Sequence, residues 1–483
     1  MVSAMENQDE ASRGGRAGRW ALVAALAGCL VLGGTLMVVP VQRTPPRAAV
    51  PPAPGAQALT AVSAGVPAAL PDLAVLVGDR ERHLRKNPRD AESWAVLGAA
   101  YVEQGRRTAQ SAYYPKADRA LRTSLKIERS AAALGGMAAL ANARRDFRAA
   151  RTWGEAAVKA DAKRWATYPL LIDAYSGLGD WKAVGRSLER LQELRGGAAV
   201  MARAGAVYRD RGWREDAMAQ LSDAAAGARA PAERAAYLER VGQLAWERGD
   251  REVALRNFRE AVRIDPDQRA AQAGQGRALA ALGRTSEALS AYRMALTNQP
   301  SPQYALELGE LYESLGLRQA ARAQYDLLRA RVRSAAAGGV DEELVLGVFE
   351  ADHGEPASAV RRLRAEWRRQ PGIAVADALG WALHRAGQDE EALRYAVRAT
   401  DKVHGGGVRS ALYAYHRGMI ERELERYGPA RRHLQEALRI NPYFSPLQVR
   451  TARTALAALG AEPDVTDVPA SVTRQPCRSA RCG

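Results

Sequence analysis

Cysteine is close to absent from this chain, with three residues in 483. Cys29 lies in an apolar N-terminal stretch, and Cys477 and Cys482 lie in the last few residues. The long middle of the sequence therefore has neither a disulfide nor a cysteine-ligated metal to hold it together. Cys477 and Cys482 either close a small disulfide loop in an oxidising compartment or stay idle thiols. Phenylalanine is scarce, at four residues, and lysine supplies only seven of the 70 basic side chains. Short catalytic signatures are missing as well: no GxxxxGK[ST], HExxH, GxSxG or CxxC occurs. The sequence thus offers no basis for a P-loop nucleotidase, a zinc protease, a nucleophile-elbow hydrolase or a thiol oxidoreductase. It reads as a non-enzymatic chain without metal or cofactor. The net charge of +16 has two readings. One is an anionic partner; the other is charge spread over solvated helix faces. The basic residues form no run of their own and alternate with acids, which favours the second and makes nucleic acid an unfavoured partner.

What the sequence has in abundance is repetition. Tyr237 to Pro266 reads as two amphipathic helices around a turn at Gly249 and Asp250. Leu238, Val241, Leu244 and Ala245 share one helix face, and Ala254, Leu255, Phe258, Ala261 and Val262 share the other. Gly242 and Ala254 are small where the two helices should cross. Such a hairpin cannot bury its own apolar face, so it needs copies beside it. Equivalent positions follow at Gly98, Ala138, Ile172, Gly205, Gly242, Gly276, Gly309, Gly347, Gly380 and Gly418, in steps of 33 to 40 residues. Seven residues after most of them a turn glycine recurs; Arg145 and Glu425 are the departures. A small residue then opens each second helix, from Ala117 to Ala430, with Val184 the larger exception.

A period near 34 with these markers resembles the tetratricopeptide repeat family. The first unit carries the set most fully, in Trp94, Leu97, Gly98 and Tyr101. The resemblance implies an all-α fold: an α-solenoid of ten helix-turn-helix units over residues 72–460, with capping helices at its ends. A lone helix from Asp72 to Lys86 should cap the start, and a helix after Ser445 the end. Extra residues around Arg107 to Tyr114 predict a loop inside the first unit. Gly135 and Gly136 weaken the second unit's first helix. Breakers stand at 335–340 and 404–407.

The remaining segments read differently. Residues 1–19 are polar. Trp20 opens an uninterrupted apolar run, Ala21 to Val39, which as a helix spans about 28 Å, close to a bilayer core. A transmembrane helix over 20–41 is the expectation; a cleaved signal peptide, or a lipoprotein signal ending at Cys29, are the alternatives. Arg13, Arg16 and Arg19 before the run, against Arg43 and Arg47 after it, place the solenoid outside the cytoplasm. The expected location is therefore the cell membrane, single-pass. Residues 42–71 read as an extended Pro- and Ala-rich linker, and 461–483 as a disordered tail.

In the family that this chain resembles, the first helix of each unit lines a concave surface that binds proteins or peptides. On that basis the candidate binding residues are Glu239, Gln243, Trp246, Arg277, Glu310, Glu313, Trp381, His384, Tyr415, Met419 and Arg422. Aromatic and arginine side chains are common binding anchors, although Trp381 and Met419 serve equally well as packing between helices. The family's carboxylate-binding variant relies on lysines and asparagines, and here Ala202, Ala206, Glu239, Gln243, Ala273 and Arg277 stand in such places. His384, His404, His416 and His433 cluster late in the chain without metal-ligand spacing and read as solvated or capping residues. The expected function is a membrane-anchored scaffold for a protein or peptide. The alternatives are an arginine-rich module for anionic polymers or lipid head groups, and an accessory subunit of a membrane-bound enzyme.

Overall fold

A computed structural model describes residues 54–401 and 407–460; the apolar run at 20–41, His404 and the 461–483 tail lie outside them. Among the described residues there are 23 α-helices, one 3-10 turn and no strand. Twenty of the helices form ten consecutive pairs, from Ala91–Thr108 and Tyr113–Ile127 to Ala411–Glu423 and Tyr427–Ile440. These are numbered units one to ten below. No described helix is long and apolar enough to cross a membrane.

The small residues sit where the helices cross. A Cβ on Gly242 would lie 2.8 Å from the Phe258 ring, on Gly276 2.5 Å from Tyr292, and on Gly309 2.3 Å from Tyr325. The first helix of a unit thus rides directly on the large side chain of the second, and Phe258 is fully buried. Gly136 makes the equivalent contact between units: its Cβ would meet Leu121 of unit one at 2.4 Å, so the glycine that weakens Ala131–Ala143 as an isolated helix is required by its packing. At the turns, Arg145 and Glu425 replace glycine yet keep the left-handed backbone, with φ of 57° and 58°. Carboxylates and hydroxyls begin several helices by accepting a free backbone N–H, as Asp90 does from Ser93, Asp180 from Ala183 and Ser410 from Tyr413.

Four expectations need correction. Residues 54–64 are not extended linker: Pro54–Ala64 is a helix, and its Ala58 and Ala61 pack with Leu73 and Leu76. The N-terminal cap is therefore a hairpin of Pro54–Ala64 with Leu70–Lys86, rather than a single helix. The extra residues of unit one mostly lengthen its first helix, which runs to Thr108 and includes Arg107. Part of the breaker at 335–340 is likewise helix, because Arg318–Ala337 continues through it. At the other end Ser445 accepts backbone bonds from Leu447 and Gln448 and starts the closing helix Gln448–Ala458.

The repeats coil tightly enough for successive turns of the superhelix to touch. The joined residues lie 158 to 225 positions apart, about five to six repeat units. Gln370 is buried at the centre of one such contact. Its Nε2 donates to the Arg145 carbonyl at 2.9 Å and its Oε1 accepts from the Phe147 amide at 3.3 Å. Asn441 does the same further along, donating to the Trp246 carbonyl at 2.8 Å. Arg148 donates to the Arg368 carbonyl, Arg214 to the Arg409 carbonyl and Ser111 to the Ser334 carbonyl. Arg107, 4 % exposed, bridges the Ala68 carbonyl of the cap and the Asp265 carboxylate after unit five, at 2.8 and 2.7 Å. Most of these contacts end on a backbone carbonyl or amide at a helix end or turn, so polar groups of one turn are satisfied by those of the next.

Candidate functional site: the inner wall of the coil

With the turns in contact, the first helices face the interior of the coil, and their polar residues meet across unit boundaries. Arg203 of unit four pairs with Asp173 of unit three. Arg209 forks onto Glu247 of unit five through bonds of 2.7 and 2.6 Å, and Gln243 adds a third to the same carboxylate at 2.8 Å. Arg277 of unit six faces Glu307 of unit seven at 3.5 Å. His353 of unit eight sits between Glu310 and Glu313 of unit seven, at 3.6 and 3.4 Å. Trp381 of unit nine donates to Asp352 of unit eight at 2.9 Å. Buried His416 of unit ten meets Asp377 of unit nine at 3.0 Å and stacks on Trp381 with centroids 4.2 Å apart. A ladder of charged and polar pairs therefore runs along the wall.

Partial removal from water tunes these groups. Burial pushes the carboxyls of Glu239, Asp210 and Glu310 above the ordinary range. Burial acts on Glu247 in the same sense, but the Arg209 charge and hydrogen bonds outweigh it and hold that carboxyl down. Burial works against the charge on Arg277 too, and Glu307 reverses the balance and raises it. For His353 the neighbouring Glu310 and Glu313 likewise overcome burial and raise the imidazole.

The sequence candidates divide into two groups. Glu239, Gln243, Arg277 and Glu310 are half-buried on this wall, and Glu313 is exposed beside it with its carboxylate held by Tyr325 Oη at 2.7 Å. Trp246, Trp381, Tyr415 and Met419 are buried between helices as core residues, the last three in one cluster, and present little surface to a partner. His384 is tied to Asp389 at 2.5 Å, and Arg422 is half-buried near Tyr415. The described histidines are not solvated: His384, His416 and His433 each pair with a carboxylate, His433 with Glu421 at 2.5 Å. Among the described residues no three His, Cys, Asp or Glu side chains are grouped to hold a metal ion.

Sequence reasoning missed Asp173, Arg203, Arg209, Arg240, Glu247, Glu307, Asp352 and Asp377. A signal for five of them existed. Arg203, Arg240 and Glu307 stand two residues before the small crossing residue, and Glu247 and Asp352 stand five after it. Those two columns are seven residues apart and so share one helix face.

Residues 240–305 match the family model described as Tetratricopeptide repeat. No curated protein matches the chain. Among solved structures, a tetratricopeptide repeat protein from Parabacteroides merdae is 16 % identical, covers 54 % of this chain and 98 % of its own, with a TM-score of 0.32. MamA is 18 % identical over 35 % of this chain and 97 % of its own, TM-score 0.29. Yeast Tom70 is 11 % identical over 75 % and 96 %, TM-score 0.31. Residues 240–305 thus carry the tetratricopeptide repeat pattern, and the described residues as a whole form an all-α stack of helix pairs.

Proposed function

We propose that this chain is a membrane-tethered scaffold that holds a protein or peptide partner against the charged inner wall of its repeat coil. The ladder between neighbouring first helices carries the reading. Its side chains are half-buried, paired and preorganised, so a partner that brings complementary polar groups meets them at little ordering cost. The outer face offers less. There Arg82, Arg190, Arg263, Arg284 and Arg329 each pair with a carboxylate three residues away, which spends the arginine excess locally. That pattern weighs against the polymer-binding alternative, which needs arginines unpaired on one face.

Site-specific photocrosslinking tests the partner surface. A crosslinker at Glu239 on the wall should trap a defined partner in intact cells, while one at Glu260 on the outside should not. Equal yields from the two positions, or none from either, would refute the inner-wall reading. The tether rests on the Ala21 to Val39 run. The protein should stay with membranes through a high-salt wash, because salt weakens ionic attachment and leaves apolar burial intact. Protease added outside the cytoplasmic membrane should reach the repeats. Full-length protein in the soluble fraction would contradict the tether, and protection of the repeats would reverse the orientation.

A further inference from the structure

One cation of the wall is left without an ion-pair partner. Asp173 of unit three pairs with Arg203 of unit four and Arg209 of unit four with Glu247 of unit five, but Arg240 of unit five has no such partner. Arg240 is half-buried and makes no hydrogen bond or ion pair among the described residues; its guanidinium lies 5.9 Å from the centre of the Tyr237 ring. Burial, and after it the charge of Arg203, both work against the charge on Arg240. Asp173, Arg203 and Arg240 line one cavity of about 700 Å³. The cap turn at Val66 and Pro67 contributes to one side of it and Glu342 to another. Two further lining atoms, Asn142 Oδ1 and Arg331 Nε, are buried without a hydrogen-bond partner. A cation in this position, beside unused donor and acceptor groups, is costly unless something pairs it.

We infer that this cavity binds a small oxyanion, the carboxylate or phosphate group of a low-molecular-weight solute, through the guanidiniums of Arg240 and Arg203. Arg203 is held by Asp173 while Arg240 lacks a direct ion-pair partner, and an incoming oxyanion supplies one in the fork geometry that arginine favours. The volume is that of a small-molecule site, and walls drawn from the cap and six of the first seven units suit a compact solute better than an extended chain. The inference goes beyond the scaffold reading and does not depend on it: the oxyanion site can fail while the wall still crosslinks a partner, and the reverse.

Isothermal titration of the full chain with inorganic phosphate, and separately with succinate, in chloride buffer of matched ionic strength, tests it. At least one of the two should saturate at one site per chain. Arg240→Gln should weaken that binding by about ten-fold or more, while Arg263→Gln on the exposed outer face should leave it unchanged. Circular dichroism melts establish that Arg240→Gln is folded; should it not fold, Ala206→Leu narrows the same cavity without altering a charge and should weaken binding too. A third titration, with an acetylated tetraglutamate peptide, separates the sources of the oxyanion. No saturable heat with either anion, unchanged binding in a folded Arg240→Gln or in Ala206→Leu, or equal weakening by Arg263→Gln would each overturn the site. Tighter binding of the peptide than of succinate would overturn its assignment to a small solute.

Discussion

Replacing Asp265 with alanine tests whether the turns of the coil are clamped or merely adjacent. In the native protein the Asp265 carboxylate accepts from Arg107 at 2.7 Å, and neither side chain is more than 7 % exposed. Arg107 reaches this point from unit one and also donates to the Ala68 carbonyl at 2.8 Å. Removing the carboxylate leaves a guanidinium with one backbone acceptor in a nearly dry site, which costs about 3–5 kcal/mol. Solenoids open locally, so the loss should appear first where the clamp acts. Amide hydrogen exchange around Val66 to Leu70 and Asp265 to Gln268 should accelerate strongly, with smaller changes in units eight to ten. Replacing both partners, Arg107→Met with Asp265→Leu, removes the unpaired charge and should recover most of the loss. A cost under about 1 kcal/mol for Asp265→Ala, of the size found for exposed pairs, would show that the pair is solvated and clamps nothing. A double variant as damaged as the single would show that the charge was not the cause.

Further expectations follow from particular contacts. Gly276→Leu should destabilise by about 1–3 kcal/mol or more in chemical denaturation, because the added side chain meets the Tyr292 ring where even a Cβ sits at 2.5 Å; wild-type melting would mean that the crossing is misplaced. Glu425→Gly should stabilise by up to about 1 kcal/mol by removing a left-handed non-glycine residue, and a loss of stability would contradict that. Asp90 accepts from the backbone amide and the hydroxyl of Ser93, which lower its carboxyl from 3.8 to about 2. A depressed folded value means that its stabilisation is complete above 3.8 and disappears as the pH falls toward 2. Asp90→Asn keeps a capping side chain and should flatten that part of the acid-denaturation profile, which an unchanged profile would refute.

The repeat architecture was legible because it is local. A small residue at each crossing, a turn residue seven positions later and a small residue opening the second helix lie within one unit, and they place all ten pairs. The N-terminal cap was misread because composition outweighed position. Prolines from Pro40 to Pro54 suggest an extended segment, but a proline at the first turn is compatible with a helix, and the alanines after it favour one. The aromatic candidates are buried for a related reason. Trp246, Trp381 and Tyr415 bury a large apolar area, and the gap between neighbouring helices gains more from them than an open surface does. The contacts between turns left no mark in the sequence. They join residues 158 to 225 positions apart, and their register follows from small rotations summed over about five to six units. The charge ladder is intermediate: its columns are periodic, but only the coil shows that they face inward.

An enclosed wall requires a closed coil, and a distance across the turns measures that directly. Arg148 of unit two and Arg368 of unit eight are exposed neighbours across the closure, with the Arg148 guanidinium on the Arg368 carbonyl at 2.7 Å. Spin labels placed at these two positions in the full chain, read by pulsed dipolar spectroscopy, should give one narrow distance no longer than the two label arms. A broad or long distribution, as expected of an open solenoid whose turns stand apart, would contradict the closed coil and with it the enclosed wall.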